Sequence, residues 1–590
     1  MEPPKQDRFL KNPQTPFRYI KTLSYIGGIM NYRKRSIQIV FLLVLNWVFF
    51  SCRDQSKTTE KDIVKKPAQM EEHVSDDIRK MLQFAADHQD KLNDSTSLGY
   101  RKLLDSLYQH SDYATLWSDR GQFLHPGDSL FSFIQNCKEY GLFPTDYHYT
   151  SLAFIHRILS EDTLARKNAA LWARADLLMT DAFFTIVKHL KQGRLPYDSV
   201  TLRTDTVLPD NRYTMALTQA LQSNSVTTIL QGFEPKHRGY DSLKTYLKGF
   251  LATGKFRNLT WLRYPYASKD SAAFYQSLTK RLQEVGYIDS NATMVDTGTL
   301  RQAIKNYQHT NGLTVNGKVS DALVTMMDNT DWEKFKRICI TLDRYKLLPD
   351  TLPSTRVWVN LPAFGLQVFN EDTVVFESKI IVGAPKTRTP LLSSEISNFI
   401  TFPQWTVPES IIFKEMLPKI KENVDYLRKE NLMVVDKNDS VLDPSKLNWR
   451  KYNKNYWPYQ IKQRQGDDNS LGVMKFNFKN KYDVYLHDTN VRWMFGKSFR
   501  ALSHGCVRVK DWQKMADFLT RNDTIKYKPD TVRAWIQRKE KHTVYGFARV
   551  PVYLRYFTTE GKKGKVYFYD DIYGEDRQLR ERYFADKPIY

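Results

Sequence analysis

Two short stretches that alternate between apolar and polar residues constrain the fold of this chain more than any other feature. Residues 482–487 alternate like a strand, with His487 on the face opposite to the apolar side chains. In the second stretch, Val507 and Val509 point to one face, whereas Cys506 points to the other. If the two apolar faces share one core, these strands are neighbours, and the imidazole of His487 lies beside the sulfur of Cys506.

A cysteine beside a histidine is the arrangement that nucleophilic catalysis by a thiol needs. A protonated thiol is a poor nucleophile, and a neighbouring base or positive charge raises the fraction of thiolate. Gly505 leaves the backbone free to turn, so that nearby amides can point at a developing oxyanion, where one donor contributes about 3 kcal/mol. The alternative is structural, with Cys506 as a small buried apolar residue and His487 as a hydrogen-bonded core or surface histidine.

The wider motif favours catalysis. His487, fifteen intervening residues and then Ser503-His504-Gly505-Cys506 resemble the signature of the L,D-transpeptidases, the YkuD-type cysteine enzymes of bacterial cell walls. On this resemblance, residues 353–580 form one catalytic domain of the large Gram-negative subgroup. The similarity extends to the segments 359–362, 382–383, 387–390, 403–408, 469–472, 486–489 and 500–502.

The resemblance implies a reaction and a role for each residue of the motif. Peptidoglycan stem peptides are cross-linked between two diamino acids (3-3 links), through an acyl-enzyme on Cys506 that forms with release of D-alanine. His487 is then the base and later the acid. The amides of His504, Gly505 and Cys506 form the oxyanion hole, and Ser503 orients the site by hydrogen bonding.

Three further residues are expected in the substrate-binding part of the site. Arg508 shares the face of the cysteine and could bind a stem-peptide carboxylate, or equally form a structural ion pair. Asp488 is expected to hold the far nitrogen of His487 through its carbonyl, and Trp405 lies where the chain leaves for the lid. Neither a cofactor nor a metal is expected, since no CxxC or HExxH spacing occurs.

Other functions use the same residues. An L,D-carboxypeptidase differs only in admitting water, and the same acyl-enzyme could attach a protein amine to the wall. A wall-binding lipoprotein with a vestigial site is the alternative from another class, although the intact motif argues against it. The expected partners are stem peptides and glycan strands, with a glycosyltransferase or carboxypeptidase as a further candidate. The expected roles are cell-wall organisation and cell shape.

The N-terminal region predicts export. A basic cluster at 33–35 precedes a fourteen-residue apolar run at 37–50, which is short for a membrane span and suits a signal peptide. Residues 30–52 are therefore a signal peptide, and Cys52 is a candidate lipidation site, with an uncleaved anchor as the alternative. We expect translation to start at Met30, so that residues 1–29 are not part of the protein. The predicted location is the periplasm, anchored to the membrane.

The remainder of the 590 residues predicts a multidomain α+β chain. We expect a linker at 53–74, a helical scaffold domain at 75–262, a three-helix peptidoglycan-binding domain at 272–329 and, within the catalytic domain, an inserted lid at about 409–465. The net charge of +23 is dispersed and no nucleic-acid-binding motif accompanies it, so we expect no nucleic acid partner. Cys137 and Cys339 are expected as buried free thiols, with a disulfide between them as the alternative.

Overall fold

The computed structural model describes residues 63–64, 66, 69–196, 207–585 and 587. The extension at 1–29, the signal peptide at 30–52 with Cys52, and most of the linker at 53–74 lie outside these residues. No helix in the described ranges has the length and apolar character needed to cross a membrane. The predicted multidomain α+β class is confirmed, since helices dominate the described residues before Arg356 and strands dominate the residues after it.

The N-terminal region is a helical domain built around one long buried helix. That helix, α5, begins after the capping residue Asn168, whose side chain accepts a hydrogen bond from the amide of Leu171, and it ends at Gly193, where φ is +74°. The helices are α1 Met70–Asp87, α2 Arg101–His110, α3 His125–Asn136, α4 Tyr149–Glu161, α5 Ala169–Gln192, α6 Asp210–Gln222, α7 Val226–Gln231 and α8 Arg238–Thr253, with the short strands β1 Ser118–Asp119 and β2 Gln122–Phe123.

Three helices with a core of their own follow: α9 Ser271–Glu284, α10 Thr297–Thr310 and α11 Asp321–Asp328. The predicted apolar stripes are buried in this core, as at Phe274 and Ile304. Gly312 follows α10 with φ at +66°, a conformation that glycine adopts without strain.

Helix α12 Asp331–Lys346 joins the helical half to the catalytic half. One aromatic cluster includes Tyr240 of α8, Phe335 of α12 and Trp358 of the first strand of the sheet. Glu333 is also buried and forms ion pairs with Lys336 at 3.0 Å and Arg580 at 2.7 Å. Helix α12 therefore shares an apolar cluster with the sheet and an ion pair with the C-terminal helical turn Arg580–Phe584.

A nine-stranded mixed sheet forms the catalytic half, in the order β13-β5-β14-β12-β11-β6-β15-β3-β4. Because β4 also pairs with β5, the sheet closes on itself around an apolar core. Its strands are β3 Arg356–Asn360, β4 Gly365–Asn370, β5 Thr373–Gly383, β6 Leu392–Thr401, β11 Met474–Phe478, β12 Leu486–His487, β13 Ala501–Ser503, β14 Val507–Val509 and β15 Thr543–Arg555. Helices α16 Trp512–Leu519 and α17 Pro529–Gln537 follow β14, and the hairpin of β16 Thr559–Lys562 and β17 Lys565–Phe568 precedes α18 Glu575–Leu579.

The lid leaves the sheet after β6 and has a separate apolar core. Its base is a pair of antiparallel strands, β7 Trp405–Thr406 and β10 Gln460–Gln463. Between them lie α13 Glu409–Ile411, a π-helical turn Ile412–Met416, α14 Leu417–Glu422, α15 Asp425–Lys429, β8 Leu432–Val435 and β9 Val441–Leu442. The predicted aromatic residues of this segment mostly pack on one another, as Trp449, Tyr452 and Trp457 do.

The predicted strand at 482–487 is shorter than its alternating pattern indicated. Only Leu486 and His487 pair as a strand, because Asp483 has φ at +54° and breaks the extended backbone. The side chain of Asn480 caps this turn, since it accepts hydrogen bonds from the amides of Tyr482 (3.0 Å) and Val484 (3.1 Å).

Candidate active site

The pairing of three short strands brings the predicted site residues together. Strand β12 runs parallel to β14, with His487 opposite Arg508, and antiparallel to β11, with His487 opposite Lys475. Cys506 lies two residues before Arg508 and therefore faces the same side of the sheet. The alternate residues of these strands, such as Leu486 and Val507, are fully buried in the core of the barrel.

His487 is held in its neutral form. Its side chain is buried, and burial, together with the positive charges of Arg508 and Lys475, lowers the pKa of the imidazole to about 3. The backbone at Asp488 and Leu471 acts in the opposite direction, yet neither meets Nδ1 with normal hydrogen-bond geometry. Nδ1 therefore has no well-placed partner among the described residues. A neutral imidazole can accept the proton of a thiol.

The thiol of Cys506 is also held in its neutral form. Burial raises its pKa, while hydrogen bonding from Tyr485 and the positive charges of Lys475 and Arg508 act in the opposite direction. The sulfur lies 3.9 Å from the carbonyl oxygen of Asp483, which accepts the weak S–H hydrogen bond. The site thus contains a half-buried thiol and two nearby cations that would stabilise a thiolate.

Lys475 belongs to this site although the sequence did not single it out. Its ammonium group lies 4.1 Å from the centre of the Tyr485 ring, and that ring meets the imidazole of His487 edge-on at 5.5 Å. Burial lowers the pKa of Lys475, whereas the negative charge of a Cys506 thiolate would raise it. Only the register of β11 against β12 reveals this proximity, because the residues are distant in sequence.

Arg508 is half-buried in the site and has no carboxylate partner among the described residues. Its Nη1 lies 3.8 Å from the sulfur of Met494, and its Nε is buried without a hydrogen-bond partner. Burial lowers the pKa of the guanidinium, and the thiolate form of Cys506 would raise it. Of the two predicted roles, this environment favours the binding of an incoming anionic group over a structural ion pair.

The loop that carries Cys506 is fixed by hydrogen bonds on two sides. The hydroxyl of Ser503 donates to the carbonyl of Cys506 at 2.6 Å and accepts from the amide of Gly505 at 3.2 Å. On the other side, the hydroxyl of Thr389 donates to the carbonyl of Gly505 at 2.8 Å. Gly505 has φ at +124°, where a side chain would strain the backbone.

These bonds correct one expectation about the oxyanion hole. The amide of Gly505 is engaged by Ser503 and does not point freely into the site. In the described part of the chain, no hydrogen bond has the amide of His504 or Cys506 as its donor. Those two amides remain as the candidate oxyanion donors.

The side chain of Asp488 has a structural role, whereas the expected contact of its carbonyl with His487 and its place beside the substrate stay predictions. Its carboxylate is fully buried, accepts a hydrogen bond from the amide of Val473 at 3.0 Å and forms an ion pair with Arg492 at 2.5 Å. Gly472 is required beside it, because a Cβ there would lie 2.3 Å from a carboxylate oxygen. Both carboxylate oxygens of Asp488 thus accept hydrogen bonds from the protein.

Trp405 and His504 connect the site to the lid. Trp405 is half-buried in β7, and its side chain lowers the pKa of the Tyr485 phenol against the larger effect of burial. The Nε2 of His504 lies 2.8 Å from Oε1 of Glu415 in the π-helical turn. Trp405 thus lies at the edge of the site, and the imidazole of His504 is engaged by the lid.

Neither a metal site nor a disulfide occurs among the described residues. No group of three or more His, Cys, Asp or Glu side chains in these ranges could hold a metal ion. Cys137 and Cys339 are buried free thiols, and burial raises the pKa of each. Cys506 is the partly exposed thiol of the described chain.

Models of protein families match three regions of this chain. Residues 102–247 match a "Scaffold domain", residues 272–327 a "Putative peptidoglycan binding domain" and residues 354–532 an "L,D-transpeptidase catalytic domain". A curated relative from Haemophilus influenzae, named "Putative L,D-transpeptidase", is 32% identical over 252 residues, which are 41% of this chain and 49% of the relative. The chain therefore spans about half the length of the curated relative it matches.

Two solved structures are also similar. An L,D-transpeptidase from Mycobacterium smegmatis is 12% identical with a TM-score of 0.17, and covers 34% of this chain and 58% of its own. The catalytic domain of an E. faecium L,D-transpeptidase acylated by ertapenem is 11% identical with a TM-score of 0.16, and covers 35% of this chain and 99% of its own.

Proposed function

Since this chain carries an L,D-transpeptidase catalytic domain, as its motif predicts, together with a scaffold domain and a peptidoglycan-binding domain, we propose that it forms 3-3 cross-links between peptidoglycan stem peptides. The observation that carries the proposal is the shared sheet face of His487 and Cys506, which the parallel pairing of β12 and β14 sets. A thiol and a neutral base on adjacent strands are the groups that acyl transfer through a thioester requires.

In the first half-reaction, the sulfur of Cys506 attacks the carbonyl carbon of the third residue of a tetrapeptide stem. The thiol proton passes to His487, and the amides of His504 and Cys506 stabilise the oxyanion. The bond to the terminal D-alanine then breaks, its amine takes the proton from His487, and a thioester remains. Arg508 and Lys475 stabilise the charge on sulfur and offer a cation to a stem carboxylate.

In the second half-reaction, the side-chain amine of another stem peptide attacks the thioester. An amide bond forms, the carbon–sulfur bond breaks, and a proton from the amine returns to the thiolate through His487. Water in place of the amine gives a tripeptide, which is the L,D-carboxypeptidase reaction, and a protein amine in its place gives attachment of that protein to the wall. The contact between Glu415 of the lid and His504 supports a role for the lid in favouring the amine.

We also propose where the protein is located and what it binds. The three-helix domain at 272–329 would hold the enzyme on glycan strands, and the apolar run at 37–50 would direct it to the periplasm, with Cys52 as a lipid anchor. A glycosyltransferase or a carboxypeptidase would supply or trim the donor. In this setting, the dispersed positive charge favours association with anionic wall polymer or membrane.

The test is incubation of the purified protein with disaccharide-tetrapeptide, followed by mass spectrometry of the intact protein and of the products. We expect an acyl adduct on Cys506 and dimers that lack one D-alanine, and both should disappear in His487→Ala. Tripeptide without dimer would support the carboxypeptidase. If folded protein gives neither adduct nor product, and Cys506→Ala still binds wall sacculi, the chain is a wall-binding protein.

A further inference from the structure

One side-chain contact ties the lid to the catalytic loop. Nε2 of His504 and Oε1 of Glu415 are 2.8 Å apart, and His504 is two residues from Cys506. At the base of the lid, residues 460–465 contact β7 and residues 469–470. Outside that base, the Glu415–His504 contact is the one side-chain hydrogen bond or ion pair that joins the described residues of the lid to the rest of the described chain. The contact therefore lies outside the strand pairing that fixes the base of the lid.

The lid has an apolar core of its own, so it can move as a rigid unit about its base. Its core, which includes Ile412, Ile420 and Trp449, is separate from the core of the barrel. Because this apolar surface is buried within the lid itself, opening the lid would leave that core intact. The contact at Glu415 is then what distinguishes a closed from an open position.

The local backbone presents Glu415 in an uncommon way. Residues 412–416 form a π-helical turn, in which the amide of Leu417 donates to the carbonyl of Ile412, five residues before it. Pro418 follows and has no amide hydrogen to give to the carbonyl of Lys414, so a regular α-helical ladder cannot run through this point. Single π-turns of this kind are frequent at functional sites.

The strength of the contact fits a reversible closure. The side chains of Glu415 and His504 are 46% and 49% exposed, and ion pairs with this exposure contribute little to stability. A contact of this kind cannot lock the lid, but it can bias an equilibrium between closed and open positions.

We propose that Glu415 is a positioning residue, and that its contact with His504 holds the lid over the thioester and decides whether an amine or water accepts the acyl group. This inference rests on the proposed acyl-enzyme. In the closed position, the acceptor amine attacks the thioester, which gives an amide and the free thiol. In the open position, water attacks the same carbon, which gives a carboxylic acid and the free thiol.

The experiment compares Glu415→Ala with Glu415→Gln, which keeps a hydrogen-bonding side chain, and with Glu422→Ala, which removes an exposed glutamate of the same lid. Disaccharide-tetrapeptide serves as donor and acceptor, and the acylation rate of Cys506 is measured beside the ratio of dimer to tripeptide. We expect Glu415→Ala to lower that ratio about threefold with acylation within about twofold of the parent. Glu415→Gln should restore most of the ratio, and Glu422→Ala should leave it unchanged.

The acylation of Cys506 tests the proposed function, and the ratio of dimer to tripeptide tests the role of Glu415. Normal acylation with an unchanged ratio in Glu415→Ala would overturn the contact as a determinant of partition. If the parent protein does not acylate, the proposed function fails, and hydrogen exchange of the full chain still tests the closure. Glu415→Ala should then speed exchange of the amides of 412–422 at least twofold relative to Glu422→Ala, and equal exchange in the two variants would overturn the closure itself.

Discussion

The substitution Ser503→Ala should separate the stability of the catalytic loop from its reactivity. The hydroxyl of Ser503 makes two hydrogen bonds within the loop, to the carbonyl of Cys506 at 2.6 Å and from the amide of Gly505 at 3.2 Å. The side chain is only 3% exposed, so water cannot replace either bond. At about 1 kcal/mol for each net hydrogen bond, the loss is about 2 kcal/mol of unfolding free energy.

The matched control is Ser378→Ala in β5. Ser378 is 5% exposed, accepts a hydrogen bond from the amide of Asp511 at 2.9 Å and donates to the carbonyl of Lys379 at 3.1 Å. It therefore loses the same number of bonds, and about the same free energy, at a place that does not carry the nucleophile. In a domain of this size, both variants should melt about 4–8 °C lower than the parent.

Reactivity should differ between the two variants. With Ser503 replaced, the loop no longer fixes the amides of His504 and Cys506 against the reacting carbon, and misplaced donors of this kind cost about 100-fold in rate. We expect Cys506 in Ser503→Ala to acylate about 100-fold more slowly in single-turnover mass spectrometry, and Ser378→Ala to stay within about threefold of the parent. If both variants lose stability and both acylate at the parental rate, the hydroxyl does not position the loop.

Three further perturbations test other parts of the site. Gly472→Ala should lower the free energy of unfolding by about 3 kcal/mol in a denaturant titration, since a Cβ would lie 2.3 Å from a buried carboxylate oxygen. As the control, Gly312→Ala has a positive φ but open space around the new Cβ, and it should lower the same free energy by about 1 kcal/mol. Lys475→Met should raise the pKa of Cys506, because the ammonium lowers it, and the pH profile of iodoacetamide alkylation should shift upward. The pKa of His487 is lowered to about 3, so its contribution to stability is complete above about pH 6.5 and is lost as the pH falls towards 3. In His487→Gln, the melting temperature should therefore fall less steeply between pH 6.5 and pH 3.

The sequence predicts the residues within the motif, but not the residues that other strands bring beside it. The alternation of Val507 and Val509 against Cys506 correctly assigned the buried face of β14, because a period of two needs no partner strand to be read. Lys475 could not be found in that way. Its place beside His487 depends on the register of an antiparallel pair, which no local pattern specifies.

The difference between the predicted and the observed strand before His487 has a local cause. The strand predicted to begin at Tyr482 starts only at Leu486, because the αL conformation of Asp483 and the side-chain bonds of Asn480 replace backbone pairing there. For Asp488, the motif predicts a contact between its carbonyl and His487 but does not describe its side chain. Its buried ion pair with Arg492 is a tertiary feature that the motif does not contain.

The electrostatics of the site decide between two resting states of the pair. A thiolate–imidazolium pair would require the thiol to be the stronger acid, yet burial raises the pKa of Cys506 above its ordinary value of 9.0 and the pKa of His487 is about 3. Both shifts favour the uncharged thiol and the uncharged imidazole. We therefore expect the proton to pass from the sulfur to His487 as the sulfur attacks the carbonyl carbon.

The same numbers explain why two cations beside a histidine help the reaction. Lys475 and Arg508 both lower the pKa of Cys506 and that of His487, so they stabilise the thiolate and destabilise the imidazolium. An imidazolium with so low a pKa is a strong acid, which gives its proton readily to the amine that leaves as the thioester forms. The two cations make His487 a weaker base in the first proton transfer, but they make its imidazolium a stronger acid in the second. The second effect favours protonation of the leaving amine, and with it the breakdown of the tetrahedral intermediate to the thioester.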